Sequence, residues 1–337
     1  MNSAREREAG PSIRPAKRHA ALASKWPMSA QHGLDRRRPL RFESHTKTGR
    51  RHGLFRQANE CIDGSRPSTS AIQFSFSRDT EPVRRSRITG PNVELRRAKQ
   101  RFLTRTDGAE TYHSFSFGDH YDPTNVSFGR LMVNNDDLVR VGAGYPDHPH
   151  RDAEIVTWVL SGSLVHEDSH GNSGLIYRGL AQRMSAGSGI VHAERNDAYL
   201  VDPTRPAEPV HFIQMWIRPD EYAAQPSYQQ RELALGDLVG DWLPIASGQH
   251  PDTVVSIASA GSTLWASVLP AGTSRWLPQS DLLHVYLVRG AVDVETIGRL
   301  RQGDSLRLSG STQLSLTARE EAEVLVWEMA LELGGAR

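Results

Sequence analysis

The sequence predicts an all-β protein, two tandem β-barrels behind a disordered N-terminal extension. Three observations carry this. From residue 93 onward, short runs rich in Val, Ile, Trp and Tyr are separated by Gly, Pro, Asn and Asp, and no long amphipathic helix interrupts them. One strand–turn–strand unit is written twice. The charge changes sign near residue 91: residues 1–91 carry 19 Lys/Arg against 8 Asp/Glu, and the remainder carries 21 against 31.

Residues 1–91 are rich in Arg, Ser, Pro and Gly and hold no sustained period of 2 or 3.6; only Ile72-Gln73-Phe74-Ser75-Phe76 alternates briefly. Such a segment buries too little apolar surface to offset the entropy of ordering, so it is expected to be disordered. It reads as a spacer, or as sequence ahead of the true start, with Val93 as initiator if its codon is GTG. A basic arm for nucleic acid or a membrane surface is the less favoured reading.

Residues 92–219 form the first barrel. Its candidate strands are 129–135, 154–160, 164–168, 174–178, 182–186 and 210–217, many of them half alternating as expected of sheets with one buried face. Residues 220–337 form the second, with candidate strands at 253–259, 263–269, 282–288, 305–309, 313–318 and 323–331. The linking stretch 220–233, DEYAAQPSYQQREL, predicts a short helical piece. The repeat ties the halves together. TWVLSGSLVHED and VYLVRGAVDVET both pivot on a glycine, Gly162 and Gly290, and each is followed by a second glycine, Gly179 or Gly303.

Residues i and i+2 of a strand share a face. His148 and His150 in GYPDHPHRDAEIVTWVLSG therefore aim at one point, and Pro149 biases His148 toward extended backbone. His192 and Glu194 in GSGIVHAERN repeat the spacing, and the intervening hairpin run is long enough to bring the pairs together. Three imidazoles and a carboxylate suit Fe(II), Mn, Ni, Co, Cu or Zn. The second half lacks the set: the positions matching His148 and His150 are Trp276 and Pro278. Its lone His284 reads as packed or exposed, and that barrel as a buttress.

Other polar and aromatic residues read as structural. His166, Asp168 and His170 read as turn polarity, Phe115 and Phe117 as packing, and Trp158, His211 and Trp216 as core or pocket wall. Cys61 is the only cysteine, which excludes an intrachain disulfide and a thiolate metal site. No Gly-rich phosphate cradle, Ser/His/Asp set or nucleophilic cysteine stands out. No apolar leader or 18-residue apolar run occurs either, so the expected location is cytoplasmic, with no membrane partner.

The two long motifs around these ligands, with YHSFSFGDHYDP before them and HEDSHGN between them, resemble the signatures of cupins, specifically the pirin family. The resemblance spans most of residues 93–331. It implies a bicupin with one metal ion, Fe(II) foremost, in the N-terminal barrel, held by His148, His150, His192 and Glu194. General cupins use a glutamate of the first motif, here Glu154. The pirin-like pattern uses Glu194 instead, which leaves Glu154 as either a buried carboxylate or one that orients a ligand imidazole. The resemblance further implies quercetin 2,3-dioxygenase activity, with a small aromatic substrate and O₂ as partners and Glu194 as the group that takes the substrate's hydroxyl proton. The alternative it carries is a non-enzymatic, iron-dependent transcriptional cofactor with a transcription-factor partner. The net −10 of the barrels argues against direct nucleic-acid binding by them. A monomer is expected, the second barrel taking the place of a dimer partner.

Overall fold

The computed structural model describes residues 92–310 and 313–331; the expected extension, with Cys61, lies outside the described residues. The described chain begins with β1 (Asn92–Arg96), β2 (Phe102–Arg105) and β3 (Ala109–His113). Eight strands of the first barrel follow: β4 (Leu131–Val139), β5 (Gly144–His150), β6 (Glu154–Ser161), β7 (Ser163–Asp168), β8 (Ser173–Tyr177), β9 (Leu180–Ser185), β10 (Ile190–Arg195) and β11 (Val210–Ile217). The connection carries β12 (Ser227–Glu232), β13 (Leu243–Ser247) and β14 (Val255–Ser256). The second barrel repeats the eight: β15 (Ser262–Leu269), β16 (Ser274–Trp276), β17 (Leu282–Arg289), β18 (Ala291–Val294), β19 (Gly298–Arg301), β20 (Ser305–Ser309), β21 (Ser315–Ala318) and β22 (Ala322–Met329). Among the described residues, none forms a helix long and apolar enough to cross a membrane.

Each barrel is two facing sheets. The first has β12-β9-β6-β11-β4-β3-β2 against β5-β10-β7-β8, and the second has β1-β20-β17-β22-β15-β13-β14 against β16-β21-β18-β19. Strand for strand, the eight-strand units match in order, so the repeat is real. Its glycine pivots have a physical cause. Gly162 and Gly290 adopt φ of 73° and 81°. A Cβ there would lie 2.8 Å from the Pro209 carbonyl oxygen and 2.2 Å from that of Glu321.

The edge strands are exchanged. β1 precedes the first barrel but pairs along β20 of the second, Asn92 opposite Ser309. β12 precedes the second barrel but pairs along β9 of the first, Ser227 opposite Ser185. The helical piece expected within 220–233 is thus a strand. The open edge of β9 offers β12 six residue pairs, and that pairing overrides a weak local preference. The strand expected over 253–259 shrinks to the two residues of β14.

The large sheets pack back to back. Val156, Trp158, Leu160, Ile213 and Met215 from the first barrel share one core with Leu264, Tyr286, Val288, Leu325 and Trp327 from the second. Central strands are therefore buried on both faces, which is why β6, β11, β17 and β22 read as nearly continuous apolar runs. Buried carboxylates on both sides take hydrogen bonds across this seam. Asp136 on β4 accepts from Arg101 (2.9 Å), the Tyr286 hydroxyl (2.7 Å) and His211 Nε2 (2.6 Å). Glu323 on β22 accepts from Trp158 Nε1 (2.8 Å) and Arg178 (2.9 Å) of the first barrel.

The interiors differ. The second barrel is filled by Leu283, Val285, Leu287, Val292, Leu306, Leu316, Val324 and Val326. The first places Asp137, Gln182, His166, His192, Glu194 and Gln214 among its buried residues. An apolar-packed barrel is a support; a barrel with buried ionisable groups needs something to satisfy them.

Candidate metal centre

The small sheet of the first barrel sets the candidate ligands side by side. β10 lies between β5 and β7. Across β5–β10, His192 is opposite His148; across β10–β7, Glu194 is opposite His166 and His192 opposite Asp168. β5 is an edge strand, where Pro149 is tolerated despite its missing N–H. Gly144 lets β5 approach, because a Cβ there would lie 2.3 Å from the Glu194 carbonyl oxygen.

Three imidazoles converge. Ring centroids are 4.4 Å apart for His148–His192, 4.8 Å for His148–His150 and 4.9 Å for His150–His192. Their ligand nitrogens lie within 4.8 Å of one another. His148 Nδ1 lies 2.7 Å from the Pro146 carbonyl oxygen, so it carries the proton and leaves Nε2 with a lone pair. The Nε2 atoms of His150 and His192 are buried with no hydrogen-bond partner among the described residues. Burial holds all three below the usual histidine range, His150 at about 3 with a further push from His148. Neutral imidazoles with unsatisfied nitrogens aimed at one point fit a divalent ion.

Glu194 lies deeper. Its carboxylate groups with His192 and His166, within 4.8 Å of both, rather than with the His148–His150 side. A register shift in β10 between His192 and Glu194 accompanies this turn. Both its oxygens accept from Gln214 Nε2 (3.0 and 2.8 Å), and Trp216 Nε1 donates to Gln214 Oε1 (3.1 Å). Burial pushes Glu194 up to about 7 against the Gln214 bond, with Asp137 adding repulsion. Asp137 is itself pushed up to about 7 by burial, although Thr111 (2.5 Å) and Tyr145 (2.7 Å) donate to it.

Trp216 also packs edge-on against His150, centroids 4.6 Å apart, and Phe117 meets Trp216 at 5.5 Å. These rings make an aromatic wall beside the imidazoles. His148 and His150 are half-buried, whereas His192, Glu194 and His166 are buried, so the open side of the cluster is the β5 side.

Several readings change here. His166 is a fully buried residue of β7, its ring 5.2 Å from that of His192. Turn polarity describes Asp168, whose carboxylate accepts from the His170 and Asn172 amides, and the exposed His170. Glu154 is buried, as expected, but it accepts from Ser185 Oγ (2.8 Å) and the Ala258 amide (3.0 Å), not from an imidazole. His284 is packed against Phe115, with ring centroids 5.7 Å apart. In the second barrel, Trp276 is opposite Ser315 where His148 is opposite His192, so the candidate ligands are replaced in place.

Residues 94–217 match the family model described as Pirin, and residues 245–329 the one described as Quercetinase C-terminal cupin domain. The chain belongs to the pirin family. A Mycobacterium tuberculosis relative, provisionally named a quercetin 2,3-dioxygenase, is 46% identical over 243 residues, covering 72% of this chain and 97% of the relative. The Escherichia coli K12 protein named quercetin 2,3-dioxygenase is 30% identical over 238 residues, covering 70% and 98%. The crystal structure of the E. coli bacterial pirin YhhW in complex with nickel(II) is 30% identical with a TM-score of 0.64, covering 71% of this chain and all of that one. This pirin is accordingly a metal-binding bicupin with a candidate His/Glu site.

Proposed function

We propose that this pirin is a metal-dependent dioxygenase that opens the central ring of quercetin or a related flavonol-like aromatic, inserting both atoms of O₂ and releasing one ring carbon as carbon monoxide. The observation that carries the reading is the convergence of three neutral imidazoles, two of them with a buried, unpartnered Nε2, at the half-open side of a barrel that also buries a carboxylate. His148, His150 and His192 would hold the ion, with Glu194 completing the set. Such a donor set, mixed nitrogen and oxygen without sulfur, accepts Fe(II), which we take as the resident ion, and also Mn, Ni, Co, Cu or Zn. When bound, the ion supplies Lewis acidity toward a hydroxyl-ketone and a redox partner for O₂.

The chain's own residues do the rest. Trp216, with Phe117 packed against it, gives the approach to His150 an apolar aromatic wall suited to an aromatic ring. Glu194, fixed by Gln214, takes the substrate's hydroxyl proton on a carboxylate oxygen. Among the described residues, the leucine-filled second barrel holds no comparable site, and it backs the sheet that carries Gln214 and Trp216.

The experiment is anaerobic purification with metal analysis. Loss of the visible quercetin band and carbon monoxide release are then followed for the Fe, Mn, Ni, Co and Cu forms. Turnover that vanishes in His192→Ala and persists without residues 1–91 is the expected result. A fully loaded protein that leaves quercetin and related flavonols intact with every metal would overturn the assignment.

A further inference from the structure

The HEDSHGN segment has a use that the ligand set does not account for. β7 carries His166 and Asp168, an i, i+2 pair like His148/His150 and His192/Glu194, and both side chains are fully buried. His166 Nδ1 lies 3.4 Å from His192 Nδ1, and His166 Nε2 lies 3.4 Å from Asp168 Oδ2. The carboxylate is pinned from the other side. Its Oδ1 accepts from the amides of His170 (2.9 Å) and Asn172 (3.0 Å), and its Oδ2 from Asn172 Nδ2 (2.8 Å). The His166 ring is clamped flat against Tyr228 of the exchanged strand β12, with centroids 4.7 Å apart and planes 24° apart.

One arrangement of protons satisfies this row. Asp168, already accepting three donors, is a carboxylate and can only accept. His166 must therefore donate from Nε2. As a neutral imidazole it has no second N–H, so its Nδ1 is an acceptor. His192 must then donate from Nδ1, which leaves its lone pair on Nε2, its buried atom without a hydrogen-bond partner among the described residues. The opposite tautomer of His166 would set its Nε2 lone pair against the Asp168 carboxylate, which has no proton to offer.

We propose that His166 and Asp168 are positioning residues that hold the proton of His192 on Nδ1, and so fix Nε2 as its metal-donor atom and set the plane of its ring. The inference rests on the metal site and not on quercetin as substrate. Carboxylate–imidazole chains behind a metal-binding histidine raise ligand basicity, and their loss lowers metal affinity about 10- to 100-fold.

The test has two readouts, neither of them turnover. Long-range ¹H–¹⁵N spectra of the metal-free full chain, with His192 assigned through His192→Gln, report which nitrogen holds the proton. The Nδ1–H form is expected. Nickel(II) affinity by chelator competition is then measured for His166→Phe, His166→Gln and Asp168→Asn. A drop of about 10- to 100-fold is expected for the phenylalanine and asparagine variants. Partial recovery is expected with glutamine, whose carbonyl can accept from His192. An Nε2–H form of His192 in the wild-type chain overturns the proposal, even if a variant fails to fold. So does a folded His166→Phe that binds nickel within twofold of wild type.

Discussion

Replacing Asp136 by asparagine is expected to loosen the seam between the barrels, and the size of the effect follows from its surroundings. Burial works to raise this carboxyl. The His211 hydrogen bond, the Arg101 charge and the Tyr286 hydroxyl outweigh burial and hold it at about 2, against an ordinary 3.8. A depressed value means the folded state prefers the charged form. The contribution is complete above the ordinary value and disappears as pH falls through about 2. At neutral pH the depression is worth about 2 kcal/mol. Asparagine also leaves the largely buried Arg101 without its counter-charge, so the total loss is expected at about 2–4 kcal/mol. The assay is urea denaturation followed by tryptophan fluorescence at pH 7 and pH 3. The gap between wild type and Asp136→Asn should shrink on acidification, with about half of the linkage share left at pH 3. A variant within about 0.5 kcal/mol of wild type at pH 7, or a gap that ignores pH, would refute the reasoning.

Other expectations follow from the same contacts. Gly144→Ala puts a methyl 2.3 Å from the Glu194 carbonyl oxygen, so β5 must move off β10; both melting temperature and nickel uptake should fall, and retention of both would show that the ligands do not depend on that approach. Trp158→Phe removes the indole donor to buried Glu323 and should cost about 1–3 kcal/mol by urea melts, with no change in metal content. Phe212→Ala empties part of the first barrel's apolar end and should cost about 3–5 kcal/mol in the same assay. Chelator treatment should lower the melting temperature of the loaded chain and metal should restore it, a shift expected to vanish in His192→Ala.

What the sequence discloses depends on how local the cause is. β11 and β20 match their expected spans because flanking turns and apolar residues mark them. The pairs His148/His150 and His192/Glu194 are legible as candidate ligands because strand spacing is enough to place two side chains on one face. β12 is not legible, since its partner β9 lies some forty residues earlier and nothing inside SYQQRE encodes that edge. His166 fails for a related reason. Asp168 and Asn172 do form the turn that the segment suggests, but His166 precedes it and faces a histidine 26 positions later. The recurrence of the i, i+2 pattern a third time was the available signal. Glu154 shows the converse: a carboxylate in the expected place, whose donors Ser185 and the Ala258 amide no local pattern reveals.

The trading of β1 and β12 has a consequence for how the chain is made. On the ribosome β1 emerges ahead of both barrels, yet its partner β20 follows only after nearly the whole polypeptide has been translated. The first barrel can close its β9 border once Glu232 is out, while β1 must wait unpaired throughout. Slowing translation between these two points should therefore lengthen the time during which a protease can nick the nascent chain near Asn92.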